Sequence, residues 1–422
     1  MREPTDTKGV RVAYALHENA AMTWTCPFCP LLCDGFGLQA GADGSLALNG
    51  SRCPRAMSAL QTLQTPPQPA TALLDGQASE LAKVMDSARQ WLRESRQPLI
   101  AGLGADVAGA RALHALAAAT GAICDAASGP GFAQGLRVLQ DRGAFTTTLG
   151  EVRNRADLIV CIGGSPAERQ PEFISRCGFG EDLVPARHVV MLGGAAADLA
   201  PLQDLRGVTG EVLPLQGDLF DTVAQLTLAV NGRPSPFQAL AQRMHSSRYA
   251  VLVWESSRLP AQGALLIEAI NRIVGTLNRK SRAATLPLGG GDGAYTANQV
   301  FTWLSGLPLR TRGHEHEPHV FDTQRLLDDG AVDLLLWVNA FGVPPPARPK
   351  GQRLVLIGPP ALASHAGAPG NLFIAVATPG VNADGHLFRS DGSLLIPLHA
   401  ARDDGLPGVA QIARQLHEGL AS

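Results

Sequence analysis

The feature that most limits what this chain can become is a repeated local grammar: a short apolar run, a glycine or turn cluster behind it, then a helical segment. It appears in "QPLIAGLGADVAGARALHALAAATGA" and recurs in "RADLIVCIGGSP" and "RHVVMLGGAAADL". The same grammar returns in "RYAVLVWESS", "GALLIEAINRIVGTLNRK", "VDLLLWVNAFG" and "QRLVLIGPP". Strand, glycine turn and helix in alternation predict an α/β fold of parallel sheets flanked by helices. In "SELAKVMDSARQWLRE" the spacing of Leu81, Val84, Ala88 and Leu92 predicts a helix with one apolar face.

A chain of 422 residues exceeds one small core and divides into several packed units. Residues 1–70 form a thiol-rich N-terminal lobe ending in "LQTPPQPA", whose prolines favour an extended connection. Three α/β units follow at about 71–150, 151–235 and 236–380, with a C-terminal segment at 381–422 in which "GVAQIARQLHEGLAS" predicts a short surface helix. No fixed-period repeat is present.

Charge excludes some partners. The chain carries 35 basic and 37 acidic residues without long blocks, so no field draws it to nucleic acid or an anionic membrane. No apolar run reaches the length of a membrane span, and the N-terminus lacks the apolar core and cleavage site of a secretion signal. A cytoplasmic protein is expected.

Four of the seven cysteines fall within residues 26–53. Cys26, Cys29, Cys33 and Cys53 have the spacing C-x2-C-x3-C-x19-C: three thiols on one tight loop and a fourth returning after a hairpin-sized excursion. Four thiolates so arranged can close a tetrahedral site for zinc or hold a [4Fe-4S] cluster. Cys124, Cys161 and Cys177 are irregularly spaced and read as buried small residues.

The run "TCPFCPLLCD", followed by "SRCPRAM", resembles the N-terminus of molybdopterin- or tungstopterin-dependent oxidoreductases, above all the B subunit of formylmethanofuran dehydrogenase. The likeness continues through "RQPLIAGLGA", "LQDRGAFTTTLGEVRNRADLIV" and "YTANQVFTWLSGLP". It implies a multi-domain molybdopterin-oxidoreductase-like architecture in which the four thiols bind a [4Fe-4S] cluster serving a metal–pterin centre.

Two parts of that centre are missing. In the dehydrogenases a cysteine within Cys-His-Gly-Pro, upstream of Leu-Gln-Asp, holds the tungsten or molybdenum. Here Leu139, Gln140 and Asp141 are preceded by Gly131, Phe132, Ala133 and Gln134, so Gly131 stands where the metal-binding thiol is expected. Cys124 lies seven residues too early and serves only if the loop is rebuilt. Phe132 replaces a histidine that would have relayed a proton. Where the family carries Asp-Pro-Arg after an apolar strand, this chain has Leu192, Gly193 and Gly194, a simple strand-to-helix turn that offers only backbone. Pro30 and Gly35 also depart from the family's glycine and aspartate.

Two polar features remain. "PLGGGDGAYT" can cradle phosphate through its backbone N–H groups, but a lone glycine run is a weak signal and an ordinary flexible loop is the preferred reading. "RTRGHEHEPHVFD" gathers His314, Glu315, His316, Glu317 and His319; the His-x-His spacing suits zinc, and a solvated or subunit-contacting loop is the plainer reading. Arg310 and Arg312 are candidates for an acidic partner surface or a polyglutamate tail.

These losses on a retained scaffold resemble the B subunits of formyltransferase/hydrolase complexes of methylotrophic bacteria. The resemblance implies a non-catalytic subunit in one-carbon metabolism and formaldehyde oxidation. Its complex moves a formyl group from formyl-tetrahydromethanopterin to a methylofuran carrier and hydrolyses it to formate. The implied partners are an amidohydrolase-like subunit, a formyltransferase subunit and a further dehydrogenase-like subunit, with a methylofuran contact open. No pterin cofactor is expected. Without one the thiols have no redox partner, which favours zinc over [4Fe-4S]. The alternatives are an active tungsten or molybdenum enzyme with a [4Fe-4S] cluster, and an iron–sulfur electron-transfer subunit.

Overall fold

The computed structural model describes residues 24–41, 44–64, 71–127 and 129–421. Residues 1–23, on which the reading of the N-terminus rests, lie outside the described residues, as does most of the proline-containing connection.

Two sheets organise the chain. The larger has a parallel centre of five strands in the spatial order Ile123–Cys124, Pro98–Gly104, Leu334–Asn339, Arg353–Gly358 and Asn371–Ala375. Antiparallel strands Ala72–Leu74 and Gln77–Ala78 extend one edge, and Thr311–Arg312 with Glu315–His316 extend the other. The second sheet is wholly parallel: Arg282–Leu288, Tyr249–Glu255, Leu158–Ile162, Arg187–Leu192 and Val208–Leu213. Central strands such as Pro98–Gly104 and Tyr249–Glu255 are buried along their whole length, as expected when helices cover both faces of a parallel sheet.

Numbered by chain order, the parallel strands of the larger sheet lie 2-1-3-4-5 and those of the second sheet 3-2-1-4-5. Both are doubly wound arrangements, in which the strand order reverses once and leaves a crevice at the carboxyl ends of the two strands flanking the reversal. The pairing does not follow consecutive stretches of chain. Strands of residues 249–288 join those of 158–213, whereas strands of 334–375 return to those of 98–124. The stretch 236–380 is therefore shared between two sheets.

Local signals explain the helices. Asp106 accepts a hydrogen bond from Gly109 N at 2.9 Å and caps Val107–Thr120, which ends at Gly121 in the left-handed region. Leu81–Glu94 buries Val84, Ala88 and Leu92, much as its spacing predicts. "GALLIEAINRIVGTLNRK" forms the helix Ala264–Leu277 with no strand of its own. The C-terminal helix Val409–Ala421 turns Val409, Ile412, Ala413 and Leu416 into the core of the larger sheet, so only its outer face is surface. No helix among the described residues is long and apolar enough to cross a membrane.

Candidate functional site

The four predicted thiols share one buried lobe. Cys26 N donates to Cys33 O at 2.9 Å and Leu32 N to Cys29 O at 3.2 Å, with Leu32 at φ 42°; these contacts wind the Cys26–Cys33 loop tightly. The hairpin Gly37–Ala40/Leu46–Asn49 carries the chain back, and Cys53 stands directly before the helix Pro54–Thr62, which Pro54 opens. All four thiols are free and buried.

Their electrostatics are mutual. Burial pushes the Cys26 thiol up, and the neighbouring Cys29 adds to this. A hydrogen bond from Cys33 holds Cys29 below the ordinary thiol range, and the same bond with burial pushes Cys33 up. Burial also raises Cys53. The Arg55 guanidinium favours thiolate at Cys26 and Cys29, and Arg176 does so at Cys33. The donor types suit zinc or an iron–sulfur cluster. Among the described residues, no group of three or more His, Cys, Asp or Glu side chains has an arrangement able to hold a metal ion.

Side chains tie the lobe to distant loops of the chain. Arg55 pairs with Asp292 at 3.1 Å and also donates to Phe28 O. Ser51 Oγ donates to Glu172 Oε1 at 2.7 Å, and Arg402 donates to Gly44 O and Leu63 O at 2.6 and 2.9 Å. Gly289–Gly293 is no open flexible loop. A Cβ added at Gly289 would meet Ser256 Oγ at 1.8 Å, one at Gly290 would meet Phe132 at 2.9 Å, and one at Gly293 would meet Ala105 N at 2.6 Å. Close packing, rather than a waiting phosphate, uses these glycines.

Gly131 lies in the first turn of the helix Gly129–Arg142 and is buried. A Cβ there would lie 1.9 Å from Ser256 O, so the space of a side chain is filled by the backbone that leaves strand Tyr249–Glu255. A thiol at this position has no room, and the residues present do not fit a cysteine-ligated tungsten or molybdenum. Cys124 provides no substitute. It sits on the strand Ile123–Cys124 inside the core of the larger sheet, and burial raises its thiol strongly.

Both switch-point crevices are occupied by the chain itself. In the second sheet the crevice lies between the ends of Leu158–Ile162 and Tyr249–Glu255. Arg258 spans it, donating to Gly163 O at 2.8 Å and Ser165 O at 3.2 Å while pairing with Glu255 and Glu168. Burial raises the Glu255 carboxyl and Arg258 offsets part of that rise. In the larger sheet, between Pro98–Gly104 and Leu334–Asn339, a Cβ on Gly104 would meet the Asn339 side chain at 2.2 Å, and Gly293 packs onto Ala105 and Phe341. Gly193 and Gly194 form the simple turn expected of them, with Ala195 N donating to Asp198 Oδ2 at 2.8 Å.

The histidine segment differs from its expected loop: it is a hairpin, Thr311–Arg312 with Glu315–His316, added to a sheet edge. Arg310 does not face a partner. It is 6% exposed and paired with Asp125 at 3.2 Å and with Asp322. Arg312 pairs with Glu315 at 2.7 Å. His316 Nδ1 lies 3.2 Å from Arg310 O and His319 Nε2 2.6 Å from Arg137 Nη1, so the histidines are engaged separately.

Ser256, Arg258 and Glu255 escaped the sequence reading. One signal was available: Glu255 closes an otherwise apolar strand in "VLVWESSR", and a carboxylate buried there needs a cation close by.

No protein-family model matches the chain. It is 28% identical to the B component of the formyltransferase/hydrolase complex Fhc of Methylorubrum extorquens, over 81% of this chain and 94% of that protein. It is 25% identical to the B component of the tungsten-containing formylmethanofuran dehydrogenase 2 of Methanocaldococcus jannaschii, over 87% of this chain and 90% of that one. Its structure superposes with a TM-score of 0.73 on a chain of the formyltransferase/hydrolase complex FhcABCD of M. extorquens, solved with methylofuran. That match has 26% identity and covers 83% of this chain and 98% of the other. The resemblance read from the cysteine run and the later segments therefore holds, and the formyltransferase/hydrolase side of it is the stronger.

Proposed function

We propose that this chain is the B-type subunit of a formyltransferase/hydrolase complex and organises that complex without performing its chemistry. The observation that carries this reading is the contact of Gly131 with the Ser256 carbonyl, which removes both the metal-binding thiol and the volume for one. Arg258 across the second sheet's crevice supports it, since its side chain takes the place between the two strand ends where a dinucleotide-like arm would lie. The 28% identity to the Fhc B component, with 94% of that protein covered, supports the assignment over the dehydrogenases.

In this reading the scaffold is molybdopterin-oxidoreductase-like and cytoplasmic. An amidohydrolase-like subunit and a formyltransferase subunit carry the formyl group from formyl-tetrahydromethanopterin through methylofuran to formate. A further dehydrogenase-like subunit completes the assembly. The four thiols as described form no ready metal group, so this part of the reading requires Cys26, Cys29, Cys33 and Cys53 to draw together around one metal centre, which then stabilises the N-terminal lobe. Zinc is favoured over [4Fe-4S] because no electron acceptor remains beside them, and zinc forms closed four-thiolate sites without redox chemistry. Thiols whose protons are held by burial and by one another would lose them to the metal.

The test is anaerobic purification of the chain from its native host with its accompanying subunits, followed by metal analysis and an assay of formate release. Co-purification with formate-releasing activity, zinc or four irons, and no tungsten or molybdenum is expected. Stoichiometric tungsten or molybdenum, or purification as a lone redox protein, overturns the proposal.

A further inference from the structure

The two edges of the second sheet differ. At strand Arg282–Leu288 the chain covers its own edge: Thr285 N donates to Phe145 O at 2.7 Å and Thr147 N to Thr285 O at 2.9 Å. At Val208–Leu213 it does not. Leu213 O accepts from Gly193 N at 2.8 Å and Gly207 O from Arg187 N at 2.8 Å, so the odd-numbered residues turn their backbone groups towards Arg187–Leu192. The even-numbered ones face outward. Val208 N donates to Leu205 O at 3.2 Å, but among the described residues no partner meets Val208 O or the backbone groups of Gly210 and Val212. Thr209 and Gly210 are exposed.

Open edges invite pairing, and proteins blunt them with lysine, proline, bulges or very short strands. This edge runs six residues without lysine or proline, and its register against Arg187–Leu192 is unbroken. Its free groups also match themselves. When two antiparallel copies meet at Gly210, each Gly210 N–H faces the other's Gly210 C=O, and each Val212 N–H faces the other's Val208 C=O. Only Val212 C=O, opposite the already bonded Val208 N–H, is left for water.

Charge agrees with that register. Thr209 and Glu211 share one face, where both touch the His188 ring, at 2.8 and 3.0 Å. With Gly210 at the centre, Glu211 lies opposite Thr209 of the other copy. Moving the centre by one residue would set the two Glu211 carboxylates against each other, which is unfavourable. Leu215, 36% exposed just beyond the strand, falls opposite Leu205.

We propose that the Val208–Leu213 edge binds a second copy of this chain, strand against antiparallel strand about Gly210, so that two five-stranded sheets become one. The surface belongs to the chain itself and does not depend on which complex the chain joins.

The test uses the full chain with the subunits that stay bound to it. Native mass spectrometry counts its copies per particle between about 1 and 100 µM, the range in which an edge of this length should associate. Two copies per particle, with slowed hydrogen exchange at the Gly210 and Val212 amides, are expected. Thr209→Glu sets a carboxylate against Glu211 twice across the symmetric pair and should weaken pairing about tenfold, whereas Thr209→Lys should strengthen it about threefold. Both variants lose the same threonine, so the opposite signs isolate the charge. Val212→Pro removes the outward N–H, which an edge strand tolerates, and should abolish pairing. One copy per particle throughout overturns the proposal. Pairs whose Gly210 and Val212 amides exchange as fast as at high dilution overturn the location, and pairs that Thr209→Glu and Thr209→Lys affect alike overturn the register.

Discussion

Gly131 and Ser256 approach so closely that a β-carbon on the first would lie 1.9 Å from the carbonyl oxygen of the second. The contact joins the first turn of a helix to the exit of a central strand, two elements with little freedom to separate. The position is closed to every other residue type without a backbone shift.

Gly131→Cys therefore tests whether the missing thiol can be restored. Overpacking against backbone should destabilise the protein by about 3 kcal/mol, read as a lower urea midpoint, with no tungsten or molybdenum acquired. A variant of unchanged stability that binds either metal would show that the turn opens easily and that the loss is only chemical.

Arg258 reaches the same region from the other side. Its partner Glu255 is 3% exposed, so Arg258→Ala leaves a buried carboxylate without its cation and should cost about 3–5 kcal/mol near neutral pH. Burial already raises the Glu255 carboxyl, and removing the arginine raises it further. A raised carboxyl pKa makes the folded state the better proton acceptor, so the variant's deficit should narrow as pH falls from about 7 towards about 5. Denaturant curves at the two pH values decide it; a constant deficit would mean that packing, not charge, is lost.

Much of this was legible. Alternating apolar runs and glycine turns announced parallel strands, and counting back from Leu139, Gln140 and Asp141 singled out Gly131, the residue that packs against Ser256. The partner of each strand was not legible. Tyr249–Glu255 pairs with Leu158–Ile162, and Leu334–Asn339 with Pro98–Gly104. Such long-range pairings depend on packing across the whole molecule, about which local periodicity says nothing. Charge misled for a related reason: Arg310 reads as a surface cation in "RTRGHEHE", and only the fold brings Asp125 and Asp322 to it.

Cys29→Ser and Cys124→Ala separate the two kinds of cysteine. Cys29 is joined to Cys33 through a hydrogen bond within the thiol lobe, and Cys124 is enclosed by the core of the larger sheet. Cys29→Ser should lower lobe stability, metal content and subunit assembly, while leaving turnover per assembled complex unchanged. Cys124→Ala should cost about 1 kcal/mol for a small cavity and change neither metal content nor turnover. Limited proteolysis, metal analysis and formate release on assembled complexes measure both. Loss of turnover in fully assembled Cys29→Ser complex would count against an organising role, and complete loss in Cys124→Ala would revive a ligand role for that thiol.

Asp391 sets a pH dependence of the opposite sign to that of Glu255. Its side chain is 1% exposed and pairs with Arg389, itself 7% exposed, at 2.8 Å. Burial alone would raise this carboxyl, but hydrogen bonds from Arg389 and Ser393 and from the Leu149 N–H together hold it below the ordinary value. A depressed carboxyl pKa contributes stability that is fully present above the unfolded-state value of about 4 and is lost as pH falls through the folded-state value. Asp391→Asn keeps the shape, removes the charge and leaves Arg389 buried without its counterion. The cost should be about 3 kcal/mol near neutral pH. The gap between wild type and variant should close progressively below about pH 4, where the wild-type carboxyl also takes up a proton. Urea midpoints measured from neutral pH downwards give the comparison. A gap that persists unchanged through that window would mean that Asp391 acts through the geometry of the Leu149 and Ser393 hydrogen bonds, which the amide preserves only in part, and not through its charge.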